Sequence, residues 1–336
     1  MPKSGTLAVL LCNYNQGHFI SQAIEAVLSQ SRPPEQFIIV DDGSTDNSVE
    51  IVESYAKKAP CIEFLRLEKN TGAFPALQMG LQRVRGEYLY NASADDYVLP
   101  GFFEKAMRLA GRFPQAGFIV GRWRVIDMED RLIVEPPLPR ENYEGFLSPA
   151  EFRQLLLEQG AIDLGSTSAL FRFDVLKAVG AWRRELGHYC DSFLALAIPL
   201  KSGICLIPEP CACWRRNPGG MSQTQSSRAV AGLGIIERAA ALMQSDEFKD
   251  LFPVEWITRW KRETSERLIT HRISEYRRLM NARYDPFIEQ LYHGGGWRRR
   301  VSYALDAAAR WRIEAGARRL ERQFRAHQPG LSGVAE

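Results

Sequence analysis

Two pairs of adjacent acids, each placed after an apolar run, are the residues of this chain best suited to chemistry. Asp95-Asp96 come shortly after the aromatic segment 86–91, and Asp41-Asp42 come directly after residues 37–40. Buried strands of a parallel sheet are continuous apolar runs, and such sheets bind ligands at the C-terminal ends of their strands. Adjacent carboxylates repel unless a cation neutralises them, and Mg²⁺ or Mn²⁺ prefers oxygen ligands. The pattern predicts a divalent cation and a nucleotide-diphosphate ligand at these acids.

The elements that would position these acids alternate regularly between strand and helix. Apolar runs predict strands at 7–11 and 37–40, a third strand is expected over 62–67, and a fourth strand leads to Asp95-Asp96. Apolar residues at helical spacing predict helices between them, the second one opened by a capping box of Asn47 and Glu50. Four such repeats predict an α/β fold with a parallel sheet and right-handed crossovers.

The alternation becomes less regular after Pro100. We expect helices over 102–113, 152–158 and 192–200, and strands over 118–125, 164–171 and 204–207. From about Ala229 onward the chain is mostly helical and rich in arginine. These patterns predict three regions: a nucleotide-binding α/β half (1–115), a second half of the same domain for acceptor binding and catalysis (116–228), and a basic helical C-terminal region (229–336).

Charge is distributed unevenly along the 336 residues. The net charge is +3, but residues 226–336 hold 20 basic and 14 acidic residues, a net charge of +6. The excess is modest and accompanies no nucleic-acid-binding motif, so we expect no nucleic-acid partner. No apolar run approaches the roughly 20 residues of a membrane span, and no signal-peptide pattern opens the chain. The expected location is therefore the cytoplasm, which also suits six cysteines kept as thiols.

The last predicted helix combines an apolar stripe, from Leu305 to Phe324, with six arginines on its other faces. Three interpretations remain open. The arginines could form the solvated face of a packing helix, contact the anionic surface of the inner face of a membrane, or bind a protein partner.

Six segments occur in an order and spacing that resemble a known family. They are Cys12-Asn13-Tyr14-Asn15, Val40–Asp46, Asn70 with Gly72, Ala76 and Gly80, Gly86–Asp96, Asp191, and Trp214–Ser222. Together they resemble the family 2 glycosyltransferases over residues 5–225. The resemblance implies the GT-A fold, a Rossmann-like, mostly parallel sheet flanked by helices, here followed by a C-terminal helical appendage.

The resemblance also implies roles for individual residues. Asp191 would be the catalytic base, with His188 as a competitor on residue type alone. Asp95 and Asp96 would bind Mg²⁺ or Mn²⁺, and Gly165 and Ser166 would contact the acceptor. The implied donor-binding residues are Cys12, Tyr14, Asn15, Asp41, Asp42, Asn70, Asp95, Arg215 and Arg216. Tyr14 would stack on the base, and Asp42 would accept a hydrogen bond from the base or ribose.

The expected function is the transfer of a sugar from a nucleotide-diphosphate-sugar donor to the hydroxyl of a saccharide or lipid-linked acceptor. Inversion, metal dependence and a role in cell-surface polysaccharide, lipopolysaccharide or glycolipid synthesis are implied by the family. One alternative is a sugar-nucleotide nucleotidyltransferase, but residues 13–18 lack the Lys or Arg that its phosphate loop needs. The other is a non-catalytic protein of the same fold. Ser93 and Asn217, which depart from the family pattern, favour it.

Overall fold

The computed structural model describes residues 5–217 and 229–268. Within these residues ten strands form one sheet. The strands are β1 (Leu7–Asn13), β2 (Gln36–Asp41), β3 (Ile62–Arg66), β4 (Tyr88–Ser93), β5 (Tyr97–Val98), β6 (Phe118–Ile126), β7 (Leu132–Val134), β8 (Gly145–Leu147), β9 (Ala169–Arg172) and β10 (Ile204–Arg215). The helices are α1 (Ile20–Leu28), α2 (Ser48–Ala56), α3 (Ala73–Leu81), α4 (Phe102–Arg112), α5 (Pro149–Gln159), α6 (Phe173–Ala178), α7 (Cys190–Ser202) and α8 (Ala229–Met243).

The first half of the sheet is parallel, with the strand order β3-β2-β1-β4. The apolar residues 7–11 of β1 are completely buried, which explains why this strand shows no polar alternation. In this register Asn13 lies beside Asp41, and Cys12 lies beside Ser93. The predicted parallel α/β sheet is confirmed, and it brings the C-terminal ends of β1, β2 and β4 together.

The second half of the sheet is mixed. Strand β9 is antiparallel to both β4 and β6, whereas β10 runs parallel to β6. Strand β10 is much longer than the predicted 204–207, because irregular register around Pro210 lets pairing resume at Ala212. Proline lacks a backbone donor and normally ends a central strand, but a bulge accommodates it. The extension carries Arg215 to the acids that follow β4.

The helices α5 and α2 begin with different capping interactions. At α5 the capping box is formed by Ser148 and Glu151, which exchange hydrogen bonds across the first turn. At α2 the predicted capping box is wrong, since the Asn47 side chain makes no cap hydrogen bond. Instead, Asp46 accepts from the backbone N–H of Ser48 at 3.0 Å.

Residues up to Lys261 belong to one compact unit, and a second unit comprises residues 262–336. Helix α8 packs on the turn Arg184–Tyr189, where Arg238 Nε donates to the carbonyl of Glu185 at 2.8 Å. Residues 254–268 are helical. The predicted basic C-terminal region, including the Leu305–Phe324 stripe, falls for most of its length outside the described residues. None of the helices in the described ranges combines the length and apolar character that crossing a membrane requires.

Candidate functional site

A cavity of about 500 Å³ lies at the C-terminal ends of β1, β2 and β4. It is also bordered by α3, the start of α7 and the end of β10. The sequence-predicted residues that line it are Cys12, Tyr14, Asp42, Asn70, Asp95, Asp96, Asp191 and Arg215. Asn15, Asp41, Arg216, Gly165 and Ser166 are not among its lining residues.

Asp41 and Asn15 hold the loops that follow β2 and β1. Asp41 is completely buried and accepts hydrogen bonds from Asn13 Nδ2 at 2.7 Å and from the backbone N–H of Ser44 at 2.8 Å. Asn15 Oδ1 accepts from the backbone N–H of Thr45 at 2.7 Å. Gly43, in the loop after β2, has φ +72°, and a Cβ at this position would lie 2.5 Å from the Lys69 backbone. This part of the acidic motif therefore shapes the loops.

Asp42 faces the cavity and is 3% exposed. Its Oδ1 accepts from the N–H and hydroxyl of Thr71 at 2.8 and 2.7 Å, and its Oδ2 accepts from the N–H of Gly72 at 2.8 Å. Tyr14, 42% exposed, lines the same cavity. Burial, followed by the Asp42 charge, raises the pKa of the Cys12 thiol to about 12. Cys12 is therefore a neutral part of the cavity wall.

Asp95 and Asp96 lie together on the cavity wall. Asp96 is 5% exposed, and its Oδ1 accepts from the backbone N–H of Arg215 at 2.8 Å. Burial, followed by the charge of Asp95, raises the pKa of Asp96 well above its usual range. Asp95 Oδ2 accepts from Asn217 Nδ2 at 3.0 Å.

The two carboxylates fit a hard divalent cation. A positive charge between them would offset the burial and the repulsion from Asp95, which together raise the pKa of Asp96. In the described part of the chain no three His, Cys, Asp or Glu side chains cluster as metal ligands. Asp95 and Asp96 could supply two ligands to a Mg²⁺ or Mn²⁺ ion, which would keep positions for phosphate oxygens and water.

Arg215 lines the cavity, but its guanidinium is fully engaged inside the protein. Nε donates to the Asp95 carbonyl at 2.9 Å, and Nη1 donates to the carbonyls of Asp127 and Met128 at 3.1 and 3.4 Å. Nη2 donates to Gln22 Oε1 at 2.9 Å and to Asp130 Oδ1 at 2.7 Å. All five donors of the guanidinium are therefore used. Arg216, by contrast, is exposed.

Asp191 lies in the first turn of α7 and lines the same cavity as Asp42, Asp95 and Asp96. The N-cap position belongs to Tyr189, so the Asp191 side chain does not cap this helix. Trp182 Nε1 donates to Asp191 Oδ1 at 2.6 Å. Burial raises the pKa of Asp191, while hydrogen bonds from Trp182 and Ser166 oppose that rise. Thus Ser166, predicted to contact the acceptor, touches the predicted base.

His188, the competing base, is half-buried and does not line the cavity. Its pKa is lowered by burial, and its Nδ1 has no hydrogen-bond partner among the described residues. Gly165 packs against Trp123, so closely that a Cβ would lie 2.5 Å from the indole. Sequence reasoning missed Trp182 and Trp214, which both line the cavity. Trp214 opens the matched segment Trp214–Ser222, whereas no local pattern indicates a role for Trp182.

Comparisons with known proteins identify the family of this chain. The sequence model of the family described as Glycosyl transferase family 2 matches residues 8–180. The uncharacterized glycosyltransferase YibD of Escherichia coli is 36% identical over 110 residues, which cover 33% of this chain and 32% of the relative. The uncharacterized glycosyltransferase alr2836 of Nostoc is 26% identical over 237 residues, which cover 68% of this chain and 72% of the relative. The match to YibD therefore spans about a third of that protein.

Two solved structures share the fold. Staphylococcus aureus TarS 1–349 in complex with UDP has a TM-score of 0.57 at 16% identity, covering 80% of this chain and 72% of TarS 1–349. The mannosyltransferase PcManGT from Pyrobaculum calidifontis, in complex with GDP-Man and Mn²⁺, has a TM-score of 0.54 at 17% identity, covering 92% and 87%. The predicted GT-A fold is confirmed.

Proposed function

Since the chain belongs to glycosyl transferase family 2, we propose that it transfers a sugar from a nucleotide-diphosphate-sugar donor to an acceptor hydroxyl with inversion. One observation carries this proposal: Asp42, the Asp95-Asp96 pair and Asp191 line a single cavity. The setting that we propose is surface polysaccharide, lipopolysaccharide or glycolipid synthesis. This setting rests on analogy with the family.

Donor binding is assigned to the nucleotide side of the cavity. Asp42 holds the loop 70–72 through three hydrogen bonds and retains acceptor capacity on Oδ2 for a base or ribose N–H or O–H. Tyr14 offers an exposed ring on which a base can stack. Asp95 and Asp96 would hold Mg²⁺ or Mn²⁺, which when bound neutralises the charge of the diphosphate.

Catalysis is assigned to Asp191. Its carboxylate accepts the proton of the acceptor hydroxyl as that oxygen forms a bond to the anomeric carbon. The bond between this carbon and the diphosphate breaks in the same displacement, and the electron pair leaves with the nucleoside diphosphate. A single displacement from the opposite face inverts the anomeric centre. The carboxylate is suited to this role because its burial raises its pKa, making it a stronger base than an exposed aspartate.

Two features speak against loss of activity. The Asn217 amide, which stands where the family often has His, donates to Asp95 and so remains part of the acidic site. Ser93, which stands at the first position of the metal motif, lines the cavity as well. Both departures from the family pattern therefore lie at the site and leave its acids in place.

A donor screen by thermal denaturation tests the proposal. We expect one of UDP-N-acetylglucosamine, GDP-mannose and dTDP-glucose to raise the Tm of the full chain when Mn²⁺ is present. At a donor concentration of 100 times Kd, binding stabilises the native state by about 2.7 kcal/mol. For a chain of this size that is a shift of roughly 5–10 °C. Equal Tm values with Mn²⁺ and with excess chelator, for all three donors, would contradict the metal-dependent donor site.

The basic C-terminal region supports a second, separable proposal, that it contacts an anionic membrane surface. The net charge of +6 over residues 226–336 is the observation that motivates it. The full chain should pellet with phosphatidylglycerol vesicles at low salt and be released at 1 M salt, where the Debye length is about 3 Å. Full-length protein carrying Arg318→Glu, Arg322→Glu and Arg325→Glu should stay in the supernatant. Equal pelleting of both proteins would show that these arginines do not mediate vesicle binding.

A further inference from the structure

Trp182 reaches Asp191 through a turn that is costly to form. Helix α6 ends in a Schellman motif, in which Ala181 N–H donates to the Leu176 carbonyl at 2.9 Å and Gly180 N–H donates to the Lys177 carbonyl at 3.0 Å. Gly180 has φ +84°, and Ala181, which carries a Cβ, has φ +50°. A left-handed conformation at a residue other than glycine is uncommon and persists where the surroundings enforce it.

The turn presents the Trp182 indole to the cavity in a fixed orientation. The side chain is 4% exposed, and its ring packs edge-on against Phe171 with centroids 5.3 Å apart. Its only hydrogen-bond donor points to Asp191, with 2.6 Å between Nε1 and Oδ1. An N–H···O⁻ bond to an ionised acceptor is shorter and stronger than one between neutral groups.

We propose that Trp182 is the positioning residue of the catalytic base: its indole N–H fixes the Asp191 carboxylate and favours its ionised form. This inference rests on the proposed function, in which Asp191 accepts the proton. It explains how a half-buried carboxylate without a paired cation can act as a base. The indole supplies a directed partial charge and donates no proton to the reaction, while Ser166 provides a second hydrogen bond.

Several charged or titratable groups share the cavity with Asp191. Cys190 precedes it on α7, Asp42 follows β2, Asp95 and Asp96 lie between β4 and β5, and Arg215 ends β10. Asp191 has no ion-pair partner among the described residues, since Arg215 pairs with Asp130. The neutral donors Trp182 and Ser166 are thus the groups that oppose the effect of burial on its pKa.

Trp182→Phe removes the N–H and keeps a ring that can pack on Phe171. We expect a lower kcat for nucleoside diphosphate release from the donor that binds, with the acid limb of the kcat profile displaced upward by about one pH unit. The loss should be larger at pH 6 than at pH 8, while the KM for donor stays unchanged. Trp256→Phe is the matched control, because Trp256 donates to the Gly160 carbonyl at 2.8 Å outside the cavity.

A second measurement uses the unsubstituted chain and needs no substrate. One of the seven tryptophan indole N–H resonances should titrate with Asp191, and that titration should vanish in Asp191→Asn. If no indole signal responds in this way, or if Trp182→Phe has the profile of Trp256→Phe, the positioning role is wrong. Failure of the proposed function itself is distinguishable, since Asp191→Asn would then retain turnover.

Discussion

Asp191→Asn should reduce turnover by about 10²–10⁴-fold, the usual cost of removing a general base. The amide keeps the size of the side chain and can still accept the hydrogen bond from Trp182, but it cannot take up a proton. The nucleotide side of the cavity is untouched. We therefore expect the Kd for donor to stay within about twofold of the original protein, as measured by titration calorimetry.

Asp174→Asn is a suitable control because its side chain is 71% exposed and pairs with Arg172, outside the cavity. It should retain full turnover. An Asp191→Asn protein with near-normal turnover would move the base elsewhere, with His188 as the next residue to substitute. Loss of donor affinity in Asp191→Asn would instead mean that the carboxylate contributes to binding.

Asp96→Asn should abolish Mn²⁺-dependent donor binding and, without metal, should make the protein more stable. The buried carboxylate at 5% exposure lies beside a second acid, so neutralising it removes both desolvation cost and repulsion. The amide oxygen can still accept from Arg215 N–H. We expect an increase of about 1 kcal/mol, or roughly 2–4 °C in Tm.

The measurement is a set of melting curves with chelator, with Mn²⁺, and with Mn²⁺ plus the donor. Asp246→Asn, at a side chain that is 97% exposed, should match the original protein in all three conditions. A lower Tm for Asp96→Asn in chelator would mean that the acid stabilises the fold. If Asp96→Asn bound the donor with full affinity, Asp96 would not be a ligand of the metal ion.

The first half of the fold was readable from sequence because its central strands, β1 and β2, contain continuous apolar runs. Residues 7–11 and 37–40 are completely buried. A strand buried on both faces is apolar at every position, so it is recognisable as an uninterrupted hydrophobic segment. Strands β5, β7 and β8 were missed because they have two or three residues each. Segments this short carry no periodicity.

The contacts that hold the site residues in place could not be predicted from the sequence. Nothing local reveals that Arg215 uses all its donors inside the protein, because its acceptors come from three other segments of the chain. Trp182 is similar, since its role depends on a turn that sets it against Asp191 nine positions later. Sequence motifs located the acids of the site, while tertiary contacts determine which neighbours hold them.

The bond between Asp96 and the Arg215 N–H joins residues 119 positions apart, which bears on when the site forms during synthesis. At about 5–20 residues per second, a ribosome needs roughly 6–24 seconds to make that interval. Through this time the nascent chain contains both acids but lacks the strand that completes their surroundings. A nascent chain thus acquires its finished acidic site only after β10 has left the exit tunnel and paired with β6.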